Sequence, residues 1–299
     1  MRRREFLRQT GFGLAAFGSA APWAMSLRAA AGQLPRRPIP GTSETLAIIG
    51  MGNSNAFREG DVQRSAELIG LFHEQGGSYI DCSGPSRFTV AEAGRSLGVS
   101  NDLLLGTYFT GDDEAQLRAE MRRLCELTGK EQIDLAHSYP EYAVPNWQRF
   151  RAWKEAGLVR YIGVARHQQR YYESMIELMK TGTVDFVQVN YSPLETEAEQ
   201  VLLPVALERG IAVTVNRPFL NGDYFARVRG HELPAWAAEF DCHSWAQFSL
   251  KYILSHPAVT CVLTETANPK HLADNIGGGF GRLPDAATRQ WIVEYLRNL

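Results

Sequence analysis

Eight short apolar runs, separated by stretches of helical period, constrain the fold of this chain more than any other feature. From residue 45 onward they are TLAIIGMG (45–52), SYIDCS (78–83), LLLGTYF (103–109), IDLAHSY (133–139), YIGVAR (161–166), FVQVNYS (186–192), AVTVNRP (212–218) and VTCVLTET (259–266). Each is rich in Val, Ile, Leu or Tyr and too short for a helix, so each reads as a buried strand. Between them lie amphipathic segments such as VQRSAELIGLFHEQGG, EAQLRAEMRRLCELTG and EAEQVLLPVALERG, each closing on glycine as helices tend to. Eight strand–helix pairs within about 250 residues predict a (β/α)8 TIM barrel spanning residues 32–299. A doubly wound sheet has the same alternation, but no GxGxxG opens a helix after the first strand. The segment 221–248 departs furthest from the repeat, and its aromatic content predicts a packed lid or a helical excursion over the barrel mouth.

The charge balance narrows the partners. With 31 basic against 33 acidic residues there is no footprint for nucleic acid or an anionic membrane surface, which leaves small molecules. Cys82, Cys125, Cys242 and Cys261 form no CxxC pair and read as buried thiols rather than a disulfide framework. His243 follows Asp241 and Cys242, but neighbours on a helix point to different faces and no HxH or HExxH is present, so no metal is expected.

Residues 1–31 read as an address rather than as fold. MRRREFLRQ, with Arg3 and Arg4 followed by Phe6 and Leu7, precedes the mildly apolar GFGLAAFGSAAPWAMSL and the small residues Ala29, Ala30 and Ala31. The segment resembles a twin-arginine export signal. Glycine, Ser19 and Pro22 dilute the apolar run, so no stable membrane span is expected. The resemblance implies engagement of the twin-arginine translocation machinery, cleavage near Ala31 and a periplasmic or extracytoplasmic location. It also implies that a cofactor is loaded before transport.

In a barrel, chemistry collects where strands end and the following loops begin. The residues to weigh there are Asn53, Asp81, Tyr108, His137 to Glu141, Arg166, Gln188, Asn190, Asn216, Arg217 and Glu265. His137 is the best placed histidine, and Arg166 is the cation that points toward the mouth, suited to an anionic substrate or a pyrophosphate.

These residues sit in blocks with a family likeness. IDCS with its following AEAG, KEAGLVRYIGVA, DFVQVNYSPLE, GIAVTVNRPFLNG and NPKHLADNI occur in the order found in aldo-keto reductases, across roughly residues 45–277. The chain resembles that superfamily, and within it a bacterial branch carrying twin-arginine signals. The likeness implies a TIM barrel that reduces a carbonyl with NADP or NAD. Hydride passes to the carbonyl carbon while a tyrosine hydroxyl protonates the oxygen. A lysine paired with an aspartate tunes that tyrosine, and a histidine orients the carbonyl. A phenol is a poor acid near neutrality unless something stabilises its phenolate.

Carried over by position, Asp81 matches the aspartate. The tyrosine position falls on Ser86 counted from Asp81, or on Phe88 counted back from Glu92. Tyr108, following Thr107, stands where the lysine belongs, and the histidine position falls on Ser138 or Tyr139 with His137 adjacent. Tyr108 or Tyr139 is therefore the candidate acid, with Arg166 or Arg217 as the tuning cation. On the cofactor side the resemblance assigns Gln188 to the nicotinamide amide and Asn275 to the neighbourhood of the adenine. Ala165 and Arg166 replace a usual Ser-Asn pair, and Asn216 replaces a stacking aromatic. Glu265 enters the phosphate loop, and His271 stands where an arginine often grips the 2′-phosphate. Two readings follow: an exported oxidoreductase with a rearranged proton donor, or a barrel that kept the fold, lost the reaction and binds a ligand or partner.

Overall fold

The computed structural model describes residues 32–52 and 56–299. Residues 1–31, expected to be an export signal, and Asn53 lie outside the described residues. Eight parallel strands close into a barrel: β3 (Ile49–Gly52), β4 (Tyr79–Cys82), β5 (Leu104–Tyr108), β6 (Ile133–Ser138), β7 (Val159–Arg166), β8 (Phe186–Asn190), β9 (Ala212–Asn216) and β10 (Val259–Thr264), with β10 pairing back on β3. Helices follow the strands as the periodicity predicts: α1 (Val62–Glu74), α2 (Ser86–Ser96), α3 (Glu114–Thr128), α4 (Pro140–Glu155), α5 (Tyr172–Lys180) and α6 (Ala198–Arg209). Capping is local and readable. Asp61 accepts from the Arg64 amide and Asp113 from the Gln116 amide, while Gly129 and Gly210 end their helices in the left-handed conformation.

The first predicted strand is two. Thr45–Ala47 (β2) pairs antiparallel with Arg36–Pro38 (β1), and the chain breaks at Ile48 before β3 enters the barrel. The reason is closure of the barrel floor. Ile39 and Leu46 of this hairpin pack with Tyr79, Leu104, Leu135, Tyr161 and Phe186, the lowest inward-facing side chains of the strands. A continuous apolar run cannot reveal this division, because both halves are buried.

After β9 the chain makes a helical excursion, with a short helix α7 (Asp223–Arg227) and a 3-10 turn (Ala235–Phe240), before α8 (Trp245–Leu254) completes the repeat. It packs sideways rather than over the mouth. Trp236 meets the Tyr295 ring edge-on at 5.6 Å, and Arg227 donates to the carbonyls of Leu296 and Arg297 on the C-terminal helix α10 (Ala286–Arg297). Asn221 at its start lines the mouth. The helical excursion is there; apart from Asn221 its residues do not line the mouth.

Above the apolar floor the barrel interior turns polar, and two glycines make room for it. A Cβ on Gly106 would stand 2.6 Å from the Tyr79 hydroxyl and 3.1 Å from Asp81 Oδ1; one on Gly163 would stand 2.7 Å from His137 Nδ1 and 2.8 Å from the Phe186 carbonyl oxygen. Both positions exclude a side chain because a neighbouring strand's polar group occupies the space. All four cysteines are free thiols, three of them buried. No helix among the described residues is long and apolar enough to cross a membrane.

Candidate active site

The C-terminal ends of the strands enclose a cavity of about 250 Å³. Strand alternation supplies its lining: on β4, Tyr79, Asp81 and Ser83 share the inward face, as do Leu135, His137 and Tyr139 on and after β6. Asp81, Tyr108, Tyr139, Gln188, Asn216 and Arg217 reach the cavity wall.

Asp81 is the centre of a buried hydrogen-bond network. Its Oδ2 accepts from the Tyr108 hydroxyl at 3.2 Å and from Gln188 Nε2 at 3.3 Å; its Oδ1 accepts from the Tyr79 hydroxyl at 3.2 Å. Gln188 Nε2 also donates to the Tyr108 oxygen at 2.8 Å, and Thr214 Oγ1 donates to Gln188 Oε1 at 3.1 Å. Behind them His137 Nε2 lies 3.3 Å from the Tyr79 hydroxyl and 3.8 Å from Asp81 Oδ1. The Tyr108 ring stacks on His137 at 5.3 Å and meets Tyr139 at 5.2 Å.

The surroundings set the protonation states. Burial pushes the Asp81 carboxyl up to about 7, against the opposing pull of the hydrogen bonds from Gln188, Tyr79 and Tyr108. His137, fully buried, is pushed down to about 3 by desolvation, so it is a neutral imidazole with no tuning charge to offer. Burial raises the Tyr108 phenol well above its ordinary value, with the Asp81 charge adding to the shift; burial raises Tyr139 as well. Neither tyrosine is a ready phenolate. Among these groups the acid that titrates near neutrality is Asp81.

The other positions sort themselves by what they touch. Ser86 Oγ donates to the Ser83 carbonyl, and Phe88 is flanked by the guanidinium groups of Arg87 and Arg123 at 4.9 and 4.2 Å. Neither lines the cavity, so no hydroxyl enters it from the place where the resemblance puts the tyrosine. Ser138 turns away to the Phe109 carbonyl, and Asn190 is held by Tyr172 and Glu195. Asn275 is buried on α9 (Pro269–Gly277), away from the cavity wall. Arg166 lies over the Tyr139 ring at 4.1 Å and pairs with Glu141, so its charge is largely answered.

Arg217 has no ion pair with a carboxylate among the described residues, and its buried Nε has no partner among them. The Asn216 Oδ1 beside it is likewise unpartnered. Arg217, Leu220 and Asn221 all have positive φ, of 51°, 51° and 57°, a concentration of strained backbone at one lip of the mouth. His167, also on the wall, is held below its ordinary value by burial and by the nearby Arg217 and Arg166. No group of three or more metal-ligating side chains is found among the described residues.

Sequence reasoning missed Tyr79 and Thr214. The signal was present: each lies two residues before a strand-end candidate, Asp81 and Asn216, and therefore on the same inward face. Counting strand ends alone stops one layer too high.

A closed parallel barrel defines the class: a TIM-barrel protein with a buried acid–tyrosine network at its C-terminal mouth. Residues 49–291 match the family described as the Aldo/keto reductase family, and the chain belongs to it. Its fold is similar to that of the holo form of aldo-keto reductase AKR11C1 from Bacillus halodurans, at 17% identity and TM-score 0.71 over 88% of this chain and 96% of that one. It is also similar to an aldo/keto reductase from Klebsiella pneumoniae in complex with NADP and acetate, at 16% identity and TM-score 0.70 over 86% and 93% of the two chains. A third likeness is MGS-M4, an aldo-keto reductase enzyme from a Medee basin deep-sea metagenome library, at 15% identity and TM-score 0.68 over 87% and 94%. The chain matches none of the curated proteins.

Proposed function

We propose that this chain is a nicotinamide-dependent carbonyl oxidoreductase in which Tyr108, backed by Asp81, replaces the family's tyrosine–lysine pair as proton donor. The observation that carries the proposal is the Tyr108 hydroxyl, on the cavity wall and bonded to a carboxyl that titrates near 7. In the reductive direction Tyr108 gives its proton to the carbonyl oxygen and takes one from Asp81, which ends as carboxylate. In the oxidative direction both transfers reverse, and Asp81 acts as the base.

The mouth is suited to a nicotinamide dinucleotide, NADP or NAD. The Asn216 amide oxygen, unpartnered among the described residues, meets the needs of a carboxamide, and Arg217, without an ion pair among them, those of a phosphate. Bound there, the cofactor supplies the hydride. Gln188, which the resemblance assigns to the carboxamide, already spends its amide on Asp81, Tyr108 and Thr214. That engagement favours the second reading, a barrel that keeps the fold and binds some other ligand. Titration of the full chain with NADPH and NADH, followed by quenching of its six tryptophans, separates the two: micromolar affinity for either supports the oxidoreductase, and absence of binding to both removes the hydride source.

We also propose that residues 1–31 send the folded chain through the twin-arginine pathway to the periplasm. Replacing Arg3 and Arg4 by lysine is expected to leave the uncleaved chain in the cytoplasmic fraction; unchanged export would sink the assignment.

A further inference from the structure

We propose that Thr214 is a positioning residue which, by anchoring the Gln188 amide, sets the direction in which protons run between Asp81, Tyr108 and the cavity. The proposal rests on the reading of Tyr108 as donor and adds the device that aims it.

The identities of donors and acceptors dictate the arrangement. An amide oxygen only accepts, so in the 3.1 Å contact between Thr214 Oγ1 and Gln188 Oε1 the threonine must donate. With Oε1 held there, the nitrogen faces Tyr108 and Asp81, at 2.8 and 3.3 Å. An amide nitrogen only donates, so the Tyr108 oxygen accepts from it, and the single phenolic proton is left for Asp81 or for a ligand in the cavity. On the other side of the carboxyl, Oδ1 already accepts from Tyr79. The Oδ2 edge is the one turned to Tyr108 and Gln188, so a proton carried on Oδ2 faces the Tyr108 oxygen. Once Oδ2 carries a proton, it donates to that oxygen, and the phenolic hydrogen has no acceptor left except one in the cavity. The protonated pair is thus the loaded donor.

The reverse amide orientation undoes this. Gln188 Oε1 would then face the Asp81 carboxylate, acceptor against acceptor, and would draw the Tyr108 proton to itself and away from the cavity. The repulsion at Asp81 disfavours that orientation, and the Thr214 donor bond to Oε1 holds the favoured one; Thr214 is fully buried, so water does not replace it. Among the described residues the titratable groups facing Asp81 are Tyr79 and Cys82 on its own strand, Tyr108 on β5, His137 on β6, Tyr139 just beyond it, Cys261 on β10 and Glu265 after it. None of these is a lysine or an arginine, so hydrogen-bond donors carry the stabilisation of the carboxylate.

The test reads Asp81 directly, without requiring turnover. In the full chain labelled with carboxyl-13C aspartate, the Asp81 resonance is assigned by its loss in Asp81→Asn and titrated in wild type, Thr214→Val and Thr214→Ser. The valine removes the donor at nearly constant shape and frees the amide to turn its oxygen toward Asp81. The Asp81 midpoint is expected to rise by about one pH unit, because a donor to the charged form is lost. Serine, which keeps the donor, returns it to near the wild-type value. A valine variant that folds and titrates like wild type overturns the proposal, as does a serine variant that shifts like valine. A shifted midpoint together with full turnover of Tyr108→Phe supports the positioning role of Thr214 and overturns the donor reading instead.

Discussion

If Tyr108 is the proton donor proposed above, its replacement by phenylalanine is expected to lower the rate of carbonyl reduction by about 10²–10⁴-fold, the usual contribution of a positioned general acid. The variant keeps its fold, because the ring that stacks on His137 and packs against Tyr139 is retained. Tyr139→Phe has a much smaller effect, since the Asp81 hydrogen bond belongs to Tyr108. The pH dependence follows from Asp81. In the proposed relay its carboxyl, pushed up to about 7, must be protonated to reload the donor, so reduction is expected to slow as pH rises through that value while oxidation of the corresponding alcohol quickens. Steady-state rates between about pH 5 and 9 for both variants and both directions make the check. A Tyr139→Phe variant that is inactive beside an active Tyr108→Phe would move the role to Tyr139. A reductive profile flat through pH 7 would remove Asp81 from the relay.

The second large effect is on stability. Asp81 titrates near 7 when folded and near 3.8 when unfolded. The folded chain therefore binds the proton more tightly, and this group's contribution, complete below about pH 4, is lost as pH rises toward 7 and stays lost above it. A carboxyl raised from 3.8 to about 7 corresponds, at 1.36 kcal/mol per pH unit, to a difference of about 4 kcal/mol. Asp81→Asn removes the titration. Relative to wild type, its unfolding free energy should improve by about that amount on going from pH 4 to pH 8, whatever fixed penalty the amide incurs against Gln188. His137 works in the opposite sense. Pushed down to about 3 by burial, it contributes stability present at neutral pH and lost as pH falls from its unfolded value of 6.5 toward 3. That contribution is present in both proteins and cancels to the extent that His137, 3.8 Å from Asp81 Oδ1, titrates alike in the two. Urea unfolding of the pair at the two pH values decides it: a difference that does not change with pH means Asp81 is ionised at an ordinary value in the folded barrel.

The two variants probe one design from two sides. A carboxyl held near 7 costs stability at neutral pH and, in the proposed relay, supplies the proton that reloads the Tyr108 phenol. Such a trade between stability and a poised group is what active sites commonly show. Asp81→Asn should therefore separate the two, gaining stability at pH 8 while losing the pH inflection of reduction.

The strands, their number and the barrel were legible in the chain, because β-strand burial writes itself as short apolar runs and crossover helices as longer amphipathic ones. Asp81, Tyr108, Gln188, Asn216 and Arg217 were legible as strand-end polar residues, since a barrel strand has nowhere to put such a group except its mouth. The break at Ile48 was not, because a plug strand and a barrel strand are equally apolar. Nor was the sideways packing of residues 221–248, which depends on where Tyr295 and Leu296 of the C-terminal helix lie.

What the sequence determined by itself is thus which residues face inward, through the two-residue period of each strand. Only the tertiary structure decided which of them meet. Tyr79, Asp81, Tyr108, His137, Gln188 and Thr214 come from five different strands, and their heights in the barrel are fixed by the register of strand pairing as the sheet closes. That closure puts the Tyr108 hydroxyl on Asp81 and gives the Gln188 amide to the network within the barrel, a matter of a few ångströms that no one-dimensional pattern records.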